Sequence, residues 1–320
     1  MNIALSDVAL PIGVLTLSPA VDITYEISRL VANEKVHALS NRLDPGGNGL
    51  NVGRALKRLD TASHGYCVTA GNVGHLLQRL LAGQLDNVDY EDVAGETRIN
   101  ATAIEHTQQV QYEVCAIGPA IPPSQLDALL QRFVTHSIKG FGVLTGSLPQ
   151  GISSRLYADV ARRIRDGGGR AVVDAHDEAL RYAIDARPFL IKPNRCELEA
   201  LVGQSLTSLE AVATEARRLH RSGIDYVCIS MGSDGALLVG PDNSYHATAP
   251  AVEVRSYIGA GDTMVAALLA AFARGAEAQE ALRLAVACAT GTVVQPGTEL
   301  FSASDVDGYL KGVTVRSLDI

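Results

Sequence analysis

Ser154–Val173 reads SRLYADVARRIRDGGGRAVV. Ser154–Asp166 carries an amphipathic helical pattern, Gly167-Gly168-Gly169 stops it, and Arg170–Val173 is a short apolar, β-branched run of the kind found in buried strands. The same punctuation recurs downstream, where the helical stretch Leu209–Ser222 ends at Gly223 just before the strand-like Tyr226–Ser230. Ile12–Leu17, Gly142–Leu144 and Phe189–Ile191 read as further buried strands. Strand–helix alternation across 140–300 predicts an α/β fold with a doubly wound, mostly parallel sheet and helices on both faces. One such unit is expected to occupy 1–320.

Two segments break the rhythm, at about 22–42 and 98–117. In the second, Arg98–Glu105 alternates polar and apolar side chains with period two. Both read as half-exposed antiparallel strands of a small β lid. The apolar face of such a sheet needs cover, with Ile99 and Ile104 as its outer positions, so a homodimer through the lid is expected.

Composition narrows the function. The chain has 320 residues, 47% of them hydrophobic, and a net charge of −8 without long like-charge blocks, which disfavours nucleic-acid and anionic-membrane partners. The five cysteines are odd in number and widely spaced, matching neither a disulfide framework nor a metal knuckle. No uncharged apolar stretch reaches 18 residues, and the amino terminus carries Asp7 with no basic n-region before its hydrophobics, so a cytoplasmic location is expected.

Chemistry concentrates at glycines. Gly259-Ala260-Gly261-Asp262 heads the helix-forming run Thr263–Phe272. Free first-turn N–H groups and the positive dipole end make such a helix mouth an anion site. Asp262 is either a helix cap or a base that takes a proton from an attacking hydroxyl, while the neighbouring amides hold the transferred phosphoryl group. A second cluster, Pro45–Arg54, matches neither a P-loop nor a dinucleotide fingerprint. It reads as a turn opening a helix, or as close backbone approach to a polyhydroxylated ligand with Asn51 bonding to it. In Lys192-Pro193-Asn194-Arg195-Cys196-Glu197, Asn194 and Glu197 lie three apart, as in a capping box or a water-mediated Mg²⁺ site.

Five blocks occur in order: Gly46–Arg54, Thr145–Pro149, Lys192–Glu197, Ser230–Gly235 and Gly259–Asp262. Together they resemble the ribokinase/PfkB carbohydrate kinase family over nearly the whole chain. Leu17–Asp22 and Thr97–Asn100 are similar to its hexose-phosphate branch, which holds minor 6-phosphofructokinases, 1-phosphofructokinases and tagatose-6-phosphate kinases. The resemblance implies ATP, Mg²⁺ and, in some members, K⁺. It implies that Asp22 and Asn51 bind sugar hydroxyls against Gly46 and Gly47, and that Arg98 holds the substrate's own phosphate with Lys35 as a second contact. A forked guanidinium on a lid strand also suits a phosphate dianion on physical grounds. Ser230, Gly232 and Gly235, with Ala289 and Gly297, resemble the family's nucleotide surroundings. Pro296-Gly297-Thr298 is more similar to the minor 6-phosphofructokinases, which puts fructose 6-phosphate first, followed by fructose 1-phosphate and tagatose 6-phosphate. Asn48, where many members have lysine, and Tyr257, beside the glycines, depart from the family pattern. A free-sugar or nucleoside kinase, and a sugar-phosphate-binding protein without turnover, are the competing readings.

Overall fold

A computed structural model describes residues 10–318, so the reading around Asp7 lies outside the described residues. The chain runs β1 (Ile12–Thr16), β2 (Ala20–Ile27), β3 (Ser40–Gly46), α1 (Asn48–Arg58), β4 (His64–Ala70), α2 (Gly71–Leu81) and β5 (Asn87–Val93). It continues through β6 (Arg98–Glu105), β7 (Val110–Val114), α3 (Pro123–Ser137), β8 (Phe141–Thr145), α4 (Leu156–Asp166), β9 (Arg170–Asp174), α5 (Asp177–Asp185), β10 (Leu190–Ile191), α6 (Arg195–Val202) and α7 (Leu209–Arg221). The last part comprises β11 (Tyr226–Ser230), β12 (Ala236–Val239), β13 (Ser244–Thr248), α8 (Ala260–Ala273), α9 (Ala278–Val293), α10 (Val306–Gly312) and β14 (Thr314–Ser317).

The large sheet has the order β14-β13-β12-β11-β10-β9-β8-β1-β4-β5. Pairing is parallel from β11 to β5 and antiparallel from β11 out to β14. Strand side chains divide with period two between cores on opposite faces. Leu15, Leu144, Val173, Val227 and Ile229 pack with α3 to α7, whereas Val14, Val143, Val172 and Cys228 pack with α1, α8, α9 and α10. Helix α8 is apolar on all sides and almost wholly buried, lying between α1 and α9.

The lid is a separate four-stranded sheet of order β3-β2-β6-β7. Two expectations change here. The lid is not wholly antiparallel, because β2 pairs β6 in parallel. Ile99 and Ile104 also do not share a face: alternation places Ile99 with Leu43, Tyr112 and Val114, and Ile104 on the other side. The Ile104 side is the polar one, carrying Asp22, Asp44, Arg42, Arg98 and Asn100. It turns toward the α/β body, where Arg42 Nη2 donates to the Pro296 carbonyl at 2.6 Å.

Candidate active site

Parallel strands end on a common edge, and ligands of open α/β sheets bind at the carboxyl ends of the strands. Here that edge presents Asp174 at the end of β9, Lys192 just past β10 and Ser230 at the end of β11. Opposite stands the mouth of α8. Gly259 precedes the helix at φ 79°, a left-handed conformation that glycine adopts without strain. Among the described residues the N–H groups of Gly261 and Asp262 have no backbone acceptor, as an anion hole requires. A side chain at Gly261 would lie 3.2 Å from Lys192 Nζ, so its absence lets the ammonium sit over the helix mouth.

Asp262 is not the helix cap. It lies in the first turn, only 3% exposed, and its carboxylate accepts from two side chains of α1: Asn48 Nδ2 at 3.0 Å and Asn51 Nδ2 at 2.9 Å. Burial, and then the nearby Asp174 charge, push its pKa up to about 6 against the two asparagine donors and Lys192. A carboxylate held near neutrality suits a general base. Lys192 Nζ, itself buried, pairs with Asp174 Oδ1 at 3.2 Å, and Asp174 is partly exposed. Burial works against the ammonium, but Asp174 and Glu197 outweigh it and hold the Lys192 pKa above its ordinary value.

Asn51, 4% exposed, donates from Nδ2 to Asp262 and accepts at Oδ1 from Arg54, which leaves the second N–H of its amide for a ligand. Asp22, also implied to bind sugar, accepts from Asn100 Nδ2 at 2.8 Å. Burial raises its pKa against that bond and the Arg98 charge. Gly46 packs on it, since a Cβ there would meet Asp22 Oδ2 at 2.2 Å, and Gly47 follows as the cap of α1. Arg98 spans three backbone carbonyls, Ser18 at 3.0 Å and Pro19 and Ala116 at 3.4 Å each, leaving two of its five N–H groups for a ligand. Lys35 is exposed in the loop between Ile27 and Ser40. That loop closes the β2–β3 hairpin at the end away from Gly46.

Beside the helix mouth opens a cleft of about 900 Å³. Asn194, Ser230, Gly232 and Gly235 line it together with the apolar Met264, Val286, Ala289 and Val293. Gly297 is not among them. It adopts φ 60° against Arg42 and Asp44 of the lid, and its carbonyl accepts from Ser256 Oγ at 2.7 Å. Tyr257 stands at the rim with 76% of its surface exposed, so its phenol does not crowd the glycines.

Asn194 and Glu197 form the capping box of α6: Asn194 Oδ1 accepts from the Glu197 N–H at 2.9 Å, and Glu197 Oε2 from the Asn194 N–H at 2.8 Å. The box leaves Glu197 Oε1 uncommitted and half-buried. Burial raises the Glu197 pKa against the Asn194 N–H and Lys192. One free oxygen, with no cluster of three His, Cys, Asp or Glu among the described residues, fits a hydrated Mg²⁺ held through water and not by direct chelation. No helix of the described residues is long and apolar enough to cross a membrane.

Sequence reading missed Lys192, Asp174 and Arg54 as parts of this site. The signals were an ionisable residue at the end of each of two apolar strands and a basic residue inside an apolar helix face.

A family model described as pfkB family carbohydrate kinase matches residues 15–304. Among curated relatives, the 1-phosphofructokinase of Rhodobacter capsulatus is 35% identical, over 97% of this chain and 98% of the relative. The ATP-dependent 6-phosphofructokinase isozyme 2 of Escherichia coli is 30% identical, over 91% of this chain and 95% of its own. Among solved structures, the Escherichia coli phosphofructokinase-2 in complex with fructose-6-phosphate superposes with a TM-score of 0.88 at 29% identity, covering 94% of this chain and 98% of that one. Arabidopsis thaliana ribokinase, at 21% identity and a TM-score of 0.77 over 95% of this chain and 99% of its own, shares the fold.

Proposed function

The chain belongs to the pfkB family of carbohydrate kinases, and on that premise we propose that it transfers the γ-phosphoryl group of ATP to a primary hydroxyl of a fructose phosphate. The observation that carries this is the buried Asp262 carboxylate at the mouth of α8, facing open N–H groups and flanked by Lys192. Asp262 takes the hydroxyl proton as the oxygen attacks, and the Gly261 and Asp262 amides with Lys192 receive the charge that develops on the γ-phosphoryl oxygens. ATP lies in the cleft, its base against Met264 and Val286 and its phosphates toward Gly261. Mg²⁺ bound to those phosphates, watched through water by Glu197, would neutralise part of their charge.

Fructose 1-phosphate is the preferred acceptor in this reading, reversing the order expected from Pro296-Gly297-Thr298. Relatives named 1-phosphofructokinase reach 35% identity, against 30% for those named 6-phosphofructokinase. Gly297 also faces Arg42 and Asp44, so its segment is adapted to lid contact, which explains its form without reference to substrate. Both acceptors give fructose 1,6-bisphosphate, so kcat/KM discriminates where product identity does not. In a coupled ADP-release assay, fructose 1-phosphate should give the highest kcat/KM of a panel with fructose 6-phosphate, tagatose 6-phosphate and free fructose. Arg98→Ala should raise the KM for the best phosphorylated acceptor about tenfold or more. An unchanged KM, or free fructose as the best acceptor, would remove the sugar-phosphate reading.

The lid supports a second part of the proposal, a homodimer. Leu43, Ile99, Tyr112 and Val114 share one face and are 42%, 43%, 43% and 67% exposed, a density of apolar surface that a second copy of the same sheet would cover. Sedimentation at micromolar concentration should give a dimer that Val114→Asp weakens; a wild-type monomer contradicts it.

A further inference from the structure

Arg54 lies inside α1 with 4% of its surface exposed, and among the described residues it forms no ion pair with any carboxylate. Burial, and then the Arg58 charge, lower its pKa to about 10, which still leaves it a cation at neutral pH. An unpaired buried guanidinium is costly unless its donors are all used to some purpose. Three of its five N–H groups go to neutral oxygens: Nε to Gln84 Oε1 at 2.7 Å, and Nη1 to Asn51 Oδ1 at 3.1 Å and to the Thr298 carbonyl at 3.3 Å. Gln84 is held in turn by Nε2, which donates to the Leu80 carbonyl at 2.7 Å.

We infer that Arg54 is the positioning residue of the catalytic base, acting through the Asn51 amide; this rests on the proposed role of Asp262. The physical case turns on the two ends of that amide. A guanidinium only donates, so the Asn51 atom facing it must be the oxygen. The nitrogen is then committed to Asp262 Oδ2, at 2.9 Å. Ionised Asp262, which only accepts, makes the same choice, but once protonated it can donate to an amide oxygen, and without Arg54 the Asn51 amide is then free to turn about its last torsion and favour the protonated acid. The positive charge also polarises the amide and strengthens the donor it offers. The chain Leu80, Gln84, Arg54, Asn51, Asp262 therefore links the end of α2 to the head of α8 through side chains from three segments. Asn48 supplies the other donor to Asp262 without such a support, its side chain having no further hydrogen-bond partner among the described residues.

A double-mutant cycle tests this, with wild-type turnover on the best acceptor measured first. Absence of turnover there defeats the kinase reading and not the Arg54 inference specifically. With an active wild type, Arg54→Met should lower kcat about tenfold or more and move the acid limb of the kcat/KM profile to higher pH, because Asp262 loses a donor. Asn51→Ala should do the same, and adding Arg54→Met to it should cost less than about threefold more, since the route from Arg54 to Asp262 is already broken. Arg54→Lys should recover part of the loss. Fully multiplicative losses, or an acid limb unmoved by Arg54→Met, would overturn the inference and leave Arg54 a packing residue. Should Arg54→Met not fold, Gln84→Leu, which frees only the far side of the guanidinium, replaces it in the same cycle with the same two outcomes.

Discussion

Asp262→Asn should lower kcat by about a thousandfold, the scale on which a positioned general base acts. The pH profile supplies the sign. Burial and Asp174 raise the Asp262 pKa to about 6, and a base works only when deprotonated. Wild-type kcat/KM should therefore hold above pH 6 and fall as pH drops through it, and the residual rate of the Asn variant should show no such limb. The same raised pKa means that the ionised carboxylate weakens the folded state above about pH 6, so the neutral amide should not lower the melting temperature. A loss under tenfold with the fold intact would exclude Asp262 as the base.

Lys192→Met should lower kcat by about a hundredfold or more, because it removes a fixed charge beside the helix mouth where phosphoryl charge develops. It should also destabilise the protein by about 1–3 kcal/mol, because Asp174, a partly exposed carboxylate, is left without its partner 3.2 Å away. The two effects separate in the Asp174→Asn/Lys192→Met double variant. There both charges are gone, so stability measured by urea titration should recover while turnover stays low. Recovery of turnover along with stability would show that Lys192 serves the fold alone.

How much of this was legible beforehand depends on the range over which each feature is encoded. Tyr226–Ser230 is a strand with the bounds its residues suggest, and α4 ends at Asp166, where three glycines follow. The capping box at Asn194 and Glu197 spans three residues and was readable as one of two alternatives; the hydrogen bonds at 2.9 and 2.8 Å realise it and leave a single carboxylate oxygen for a hydrated cation. The lid strands were legible as strands, but their pairing was not. A period-two pattern is the same for parallel and antiparallel neighbours, and β2 meets β6 only after some seventy intervening residues have returned the chain in the same direction.

The helix mouth at Gly259–Asp262 shows the same division most clearly. Its glycines, its apolar continuation and its acidic first turn are local properties, sufficient by themselves for an anion-binding helix end with a carboxylate in it. Whether that carboxylate caps the helix or serves as a base depends on which side chains surround it. Asn48 and Asn51 come from 214 and 211 residues earlier, and Lys192 and Asp174 from two other strands. Backbone propensity and side-chain periodicity act over a few residues; the partners of a buried charge are set by which strands and helices the topology stacks together. The sequence alone therefore determined the elements and the family they resemble, and only tertiary packing decided that Asp262 is held by side chains in a buried site, with its proton affinity moved toward neutrality.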